Sequence, residues 1–332
     1  MTAGSGTRAG RIVDMQIPGH AAAPDTRTLA VREQGRISLD PPDQQGHPYI
    51  SAASGLAAAG GAAWIVSDEY GELGRFDDLA APGTLGPGLE DHKKRPDLES
   101  MLAIPNSDGG SMLVAFGSGS KDNKTRDRAL VQQVDAAGNV TGSPVEAHLH
   151  GLYDELRTRL PLGVNIEGLA LRDGADGAEL LLFHRGGLEG DVNTIFRLDA
   201  ARAIDALRDG GKLHGDLVLG QTEVDLGTLH GARLAFSDAK LLDDGRIVFS
   251  ASAEGNDDAN GNGAILGSAI GILDANLAVQ SLRPLDGPAR KVEGIELTRR
   301  LDPAASPTSL TLVTDPDDPT LAAERLTVDL AD

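Results

Sequence analysis

Two near-identical phrases, NIEGLAL at 165–171 and KVEGIEL at 291–297, each place a glutamate at the start of an apolar run: Glu167 and Glu293. PDLESML at 96–102 keeps the acid as Glu99, and AFSDAKLL at 235–242 offers Asp238. Carboxylates gathered at strand starts can hold a hard cation, or they can share protons and act as acid and base. Two ionised carboxylates about 5 Å apart repel by about 3 kcal/mol at an effective dielectric near 20, so a set of them needs compensation. The chain has no cysteine, which excludes disulfides, Fe–S clusters, thiolate zinc sites and a cysteine nucleophile. An oxygen-only ligand set suits calcium before magnesium. The structural alternative is that Lys240, Arg95 and Lys291 neutralise the acids, or that the acids cap backbone N–H groups in a sealed channel.

The elements that must position these acids are short and β-like. Gly 42 and Pro 17 punctuate the chain, and long amphipathic periodicity is scarce. Five leading segments recur: SGLAA (54–58), DLESMLAI (97–104), NIEGLALR (165–172), AFSDAKLL (235–242) and VEGIELT (292–298). Each is followed, after a loop, by a stronger apolar run: AAWIVSD (62–68), SMLVAFGSG (111–119), ELLLFHRG (179–186), RIVFSAS (246–252) and SLTLVTD (309–315). A third strand then ends each unit, as in LGRFD (73–77) and TIFRLD (194–199). A repeat of about 40 to 70 residues with three strands and room for a fourth belongs to β-propeller blades. The expected fold is all-β, a single propeller domain over 1–332 with five or six blades and short helices in connecting loops. DAARAIDALRDG (199–210) is the clearest helix, with a second turn around LYDELRTRL (152–160). Strands within the first 50 residues, RIVDMQI (11–17), TLAVRE (28–33) and RISL (36–39), are expected to close the ring or complete a sixth blade.

In a propeller the first strand of each blade lines the central channel. Aligning the leading segments puts Ser54, Glu99, Glu167, Asp238 and Glu293 at one mouth. The second strands end on the same face at Asp68, Ser118, His184 with Arg185, Glu254 and Asp315. Glu99, Glu167, Asp238, Glu293 and Asp68 are therefore the expected metal ligands. Arg95, Lys94, Arg185 and Lys240 are the expected substrate-binding cations, with Glu254 and His184 as catalytic candidates. His184 has a plainer reading, a second-strand histidine bonded to neighbouring backbone.

SGLA leading to WIVSDE, then PDLES, NIEGLAL, AFSDAKLLDDGRIVFSASAE and KVEGIEL, resemble a family of uncharacterised bacterial β-propeller proteins. That group is similar to esterase-like phytase proteins and, more distantly, to calcium-dependent lactonase propellers. The resemblance runs through 51–297. It implies channel or metal roles for Glu99, Glu167, Asp238 and Glu293. The lactonases use asparagine among their ligands, and here only Asn165 lies near such a position.

The leading expectation is a calcium-dependent hydrolase acting on a phosphate ester or similar anionic ester, with no organic cofactor. The ion would activate water, and Arg95, Lys240 and Arg185 would neutralise the charge of the substrate. The alternatives are a non-catalytic propeller that binds a protein or small anionic ligand, and a calcium-dependent lactonase. A net charge of −20 argues against nucleic acid as a partner, and no apolar window is long enough to cross a bilayer. MTAGSGTRAGRIVDM has no apolar signal region, so a cytoplasmic location is expected, although a mature secreted form would read the same. NDDANGNG (256–263) begins with calcium-loop spacing but has Gly267 where the last acid should be, and it reads as a polar loop. GSGSK (117–121) lacks phosphate-loop spacing, and no G-x-S-x-G or H-E-x-x-H occurs. Trp64 sits in an apolar strand and is expected in the core.

Overall fold

In the computed structural model the described residues are 28–331, without 70, 89–95, 121–123, 188–189 and 258–262. RIVDMQI, Lys94, Arg95 and most of NDDANGNG lie outside them. Five antiparallel sheets form five propeller blades. The first contains β2 (Gly55–Ala59), β3 (Ala62–Val66), β4 (Glu72–Phe76) and β5 (Thr84–Gly88). The second contains β6 (Leu98–Pro105), β7 (Ser111–Gly117), β8 (Arg128–Val134) and β9 (Val140–His148). The third contains β10 (Ile166–Gly174), β11 (Gly177–His184), β12 (Asn193–Asp199) and β13 (Val218–Val224). In the fourth, a short β14 (Thr228–Leu229) precedes β15 (Ala232–Leu241), β16 (Ile247–Asp257), β17 (Gly263–Leu273) and β18 (Val279–Pro284).

The fifth blade settles the blade count. β19 (Val292–Leu297), β20 (Ser309–Thr314) and β21 (Glu324–Asp329) are completed by β1 (Glu33–Arg36), which pairs antiparallel with β21 from Glu33↔Thr327 to Arg36↔Glu324. The N-terminal strand therefore closes the ring and builds no sixth blade among the described residues.

The inner strands β2, β6, β10, β15 and β19 contact one another in a closed circle around the axis. Small residues make this possible. A Cβ on Gly168 would lie 3.1 Å from the backbone of Asp238 and Ala239 in the next blade, and one on Gly294 would lie 2.9 Å from Leu56 N. Between blades the packing is apolar, as in the edge-on chain Phe183–Phe236–Phe249 with centroids 5.2 Å apart at each step. Trp64 is fully buried and donates to Ala59 O at 3.2 Å.

Two helices form in the segments the sequence marks, and a third short one is added. α1 (His150–Arg157) buries Leu152, Tyr153 and Leu156. α2 (Ala200–Arg208) starts at Asp199, whose carboxylate accepts from Arg202 N at 3.1 Å and caps the first turn. α3 (Thr298–Leu301) is a single turn. Among the described residues no helix is long and apolar enough to cross a membrane.

Candidate functional site

The glutamates reach the channel mouth because four inner strands are kinked. The pairing register shifts at Leu98/Ser100, Ile166/Gly168, Phe236/Asp238 and Val292/Gly294. Each shift is a β-bulge that leaves one residue out of the ladder: Glu99, Glu167, Ser237 and Glu293. An unpaired strand residue is free to turn towards the axis, which accounts for an acid at the start of a core strand. The bulge also revises the fourth blade. Ser237, not Asp238, is the structural counterpart of the glutamates.

Glu99, Glu167 and Glu293 each offer an oxygen within 4.8 Å of the other two, and Asp68, Asp97 and Glu99 form a second such group. Glu167 is 4% exposed. Its Oε1 accepts from Asn165 Nδ2 at 2.7 Å, whereas its Oε2 is buried with no hydrogen-bond partner. The nearest cation to Oε2 is Arg185, whose Nη1 is 3.7 Å away, beyond hydrogen-bond range. Asp68 repeats this pattern at the other end of the cluster, with Oδ1 buried and unpartnered. Two orphan carboxylate oxygens beside an all-oxygen donor set fit a hard divalent cation.

Three cations are interleaved with these acids. Arg185 Nη1 lies 3.2 Å from Glu293 Oε1, and Nη2 contacts Glu254. Lys291 Nζ lies 2.9 Å from Asp317 and 3.2 Å from Asp315. Arg126 Nη1 lies 2.5 Å from Asp97, which also accepts from Ser118 Oγ. Carboxylates still outnumber these cations, and protonation behaviour follows. Burial, then Glu167 and Asp68, push the Glu99 carboxyl well above the usual range. Burial does the same to Glu167 against the pull of Arg185. Burial, then Asp315 and Asp97, raise Asp68 to about 7. Burial also opposes ionisation of Glu254, but Arg185 and Lys291 outweigh it and hold that carboxyl below its ordinary value.

Other expected site residues are placed elsewhere. Asp238 Oδ2 is 2.7 Å from Lys240 Nζ and accepts from Ile295 N at 2.9 Å, while Lys240 donates to Met101 O at 3.2 Å. Both side chains are buried, so this pair links the inner strands of blades two, four and five. It is separate from the acidic cluster, and Lys240 is not free to meet a substrate. His184 is fully buried. Its Nδ1 accepts from Asn165 N at 3.0 Å, which leaves Nε2–H to donate to Asp191 at 3.3 Å. Neither ring nitrogen is left for proton transfer, and the plainer reading of His184 is the one the geometry favours.

Asp97 and Asp317 enter the cluster unannounced. Each lies two residues from an acid noted in the sequence, Glu99 and Asp315. Both adopt a left-handed φ, 55° at Asp97 and 52° at Asp317, a conformation aspartate tolerates better than most residues.

Fold and site together define a five-bladed β-propeller with a carboxylate-rich channel mouth. The chain belongs to the family of unknown function DUF6929, which it matches over residues 49–330. No curated protein sequence matches it. Among solved structures it is similar to a hypothetical protein from Leishmania major, at 12% identity over 90% of each chain with a TM-score of 0.50. It is also similar to an exo-β-1,3-galactanase from Phanerochaete chrysosporium, at 12% identity over 90% of this chain and 64% of that one, TM-score 0.47. A structure from the GH130 family of mannoside phosphorylases aligns at 10% identity over 94% of this chain and 97% of that one, TM-score 0.48. At these identities the likeness bears on the fold alone.

Proposed function

We propose that this propeller is a divalent-cation-dependent hydrolase, with calcium as the favoured ion, acting on a small anionic ester at the channel mouth. The observation that carries the reading is Glu167, whose Oε2 is buried without a hydrogen bond and which offers an oxygen within 4.8 Å of both Glu99 and Glu293. Glu99, Glu167 and Glu293 would hold the ion, with Asp68 and Asp97 beside them. A bound cation would supply Lewis-acid polarisation of an ester oxygen and a lowered pKa for water in the site.

The chain's own groups have distinct tasks. Asn165 orients Glu167 through Oε1. Arg185 and Lys291 are each engaged by more than one carboxylate, so they hold the cluster together against its own repulsion. An anionic group would therefore be drawn to the site chiefly when the cation is present. Asp68, with an unpartnered oxygen, is better suited to moving a proton than Glu254, which Arg185 keeps ionised and weakly basic. The sequence resemblance to esterase-like phytase propellers favours an ester substrate, and a phosphate ester is the leading choice.

The test is hydrolysis of a panel of phosphate monoesters, carboxylic esters and lactones with calcium or with EDTA. Turnover of an anionic ester that EDTA abolishes and calcium restores is expected. Turnover indifferent to EDTA, or none on any member with calcium bound, would refute the hydrolase reading.

A further inference from the structure

A cavity of about 270 Å³ opens between the third and fourth blades, beside the acidic cluster. Asn165, Arg185 and Glu254 line it and also belong to the cluster, so a molecule in the cavity reaches the mouth directly. Leu162, Val164 and Ala235 supply its apolar lining. Leu162 is 52% exposed, which leaves a large hydrophobic side chain facing solvent at the rim.

The lining also contains Arg233, which is exposed and whose side chain makes no ion pair or hydrogen bond among the described residues. The other charged groups of the lining are already matched. Arg185 meets Glu254 and Glu293, and Asp191 accepts from His184 and from Val192 N. In a chain of net charge −20, an arginine side chain unmatched among the described residues, in a lining it shares with apolar side chains, is a site for a small amphipathic anion. A guanidinium fork matches a planar carboxylate with two parallel hydrogen bonds. The acids Glu254 and Asp191 in the same lining disfavour a dianion, so a monoanion is selected over a phosphate.

We infer that this cavity binds the organic part of the substrate, a small ester whose apolar body lies against Leu162 and Val164 and whose carboxylate pairs with Arg233. The inference depends on the hydrolase reading only for what happens at the ester bond, so its test uses a ligand with no ester. Benzoate carries the apolar body and the carboxylate alone. Titration calorimetry of benzoate into the calcium-supplemented protein should give saturable binding. Arg233→Ala should weaken it about tenfold or more, as expected for loss of a charge-assisted pair, and Leu162→Ser should weaken it further. Neither position touches the acidic cluster, so the rise in Tm on adding calcium should persist in both variants. Benzoate binding that depends on Arg233 in a protein indifferent to calcium would uphold the cavity and refute the cation. No binding to the wild type, or equal binding to Arg233→Ala, would overturn the inference.

Discussion

Glu167→Gln separates a cation site from a merely tolerated cluster of acids. Glu167 offers an oxygen within 4.8 Å of both Glu99 and Glu293. At an effective dielectric of about 20, each ionised pair at that separation repels by about 3.5 kcal/mol. Arg185 Nη1 at 3.7 Å returns about 4.5 kcal/mol on the same scale. An ionised Glu167 is thus left disfavoured by about 2.5 kcal/mol, before any desolvation cost. Glutamine keeps the acceptor for Asn165 and removes the charge. With EDTA present at pH 8, Glu167→Gln should stabilise the protein by about 2.5 kcal/mol and raise Tm by a few degrees. Calcium should reverse that order. At a concentration about 1,000-fold above Kd the ion adds about 4.1 kcal/mol to the wild type, and the variant should lose this gain. Paired thermal melts of both proteins, with EDTA and with calcium, read the crossover. A variant that melts lower than wild type in EDTA and keeps the full calcium response would refute the reasoning.

Three further outcomes follow from the same geometry. Lys240→Met should cost about 3 kcal/mol in urea unfolding at pH 8, because Asp238 is left buried without its cation, and the double change with Asp238→Asn should cost clearly less. Gly294→Ala would bring a Cβ to 2.7 Å from Val313 Cγ2 and 2.9 Å from Leu56 N, so denaturant unfolding should show a loss of about 1–3 kcal/mol. In EDTA, the native state keeps protons on Asp68, at about 7, and Asp317, at about 6, that the unfolded chain has already released. Their contribution to stability is whole below about pH 4 and is lost as pH rises through 6 to 7. The urea midpoint should fall across that window, and calcium should remove the fall; a midpoint that rises in EDTA would contradict the assignment of these two groups.

The blades were legible in the sequence because strand period and turn residues repeat, and because an Asp after the third strand marks most units. The site was legible in part. Glu99, Glu167 and Glu293 share a phrase, and the structure brings them together. Asp238 matches them as the acid of its segment, but the bulge of β15 falls between Phe236 and Asp238, so Ser237 and not Asp238 is their structural counterpart. A one-residue offset changes which face a strand side chain occupies, and hydrophobic pattern alone does not mark where a bulge falls. Asp97 and Asp317 sit on left-handed backbone just outside the strands, where periodicity gives little guidance. His184 ends a second strand as its sequence position implies, yet only its hydrogen bonds to Asn165 and Asp191 show that both nitrogens are occupied. Lys240 pairs with Asp238 two residues away, as the structural alternative allowed, and this burial removes it from the expected substrate-binding set.

The central claim is that carboxylates on neighbouring inner strands converge to hold a divalent cation. Isothermal calorimetry of calcium into EDTA-stripped protein, dialysed free of chelator, tests it most directly. The account predicts saturable binding that tightens as pH rises through about 7, where Asp68 gives up its proton. Heats indistinguishable from dilution across that range would contradict it.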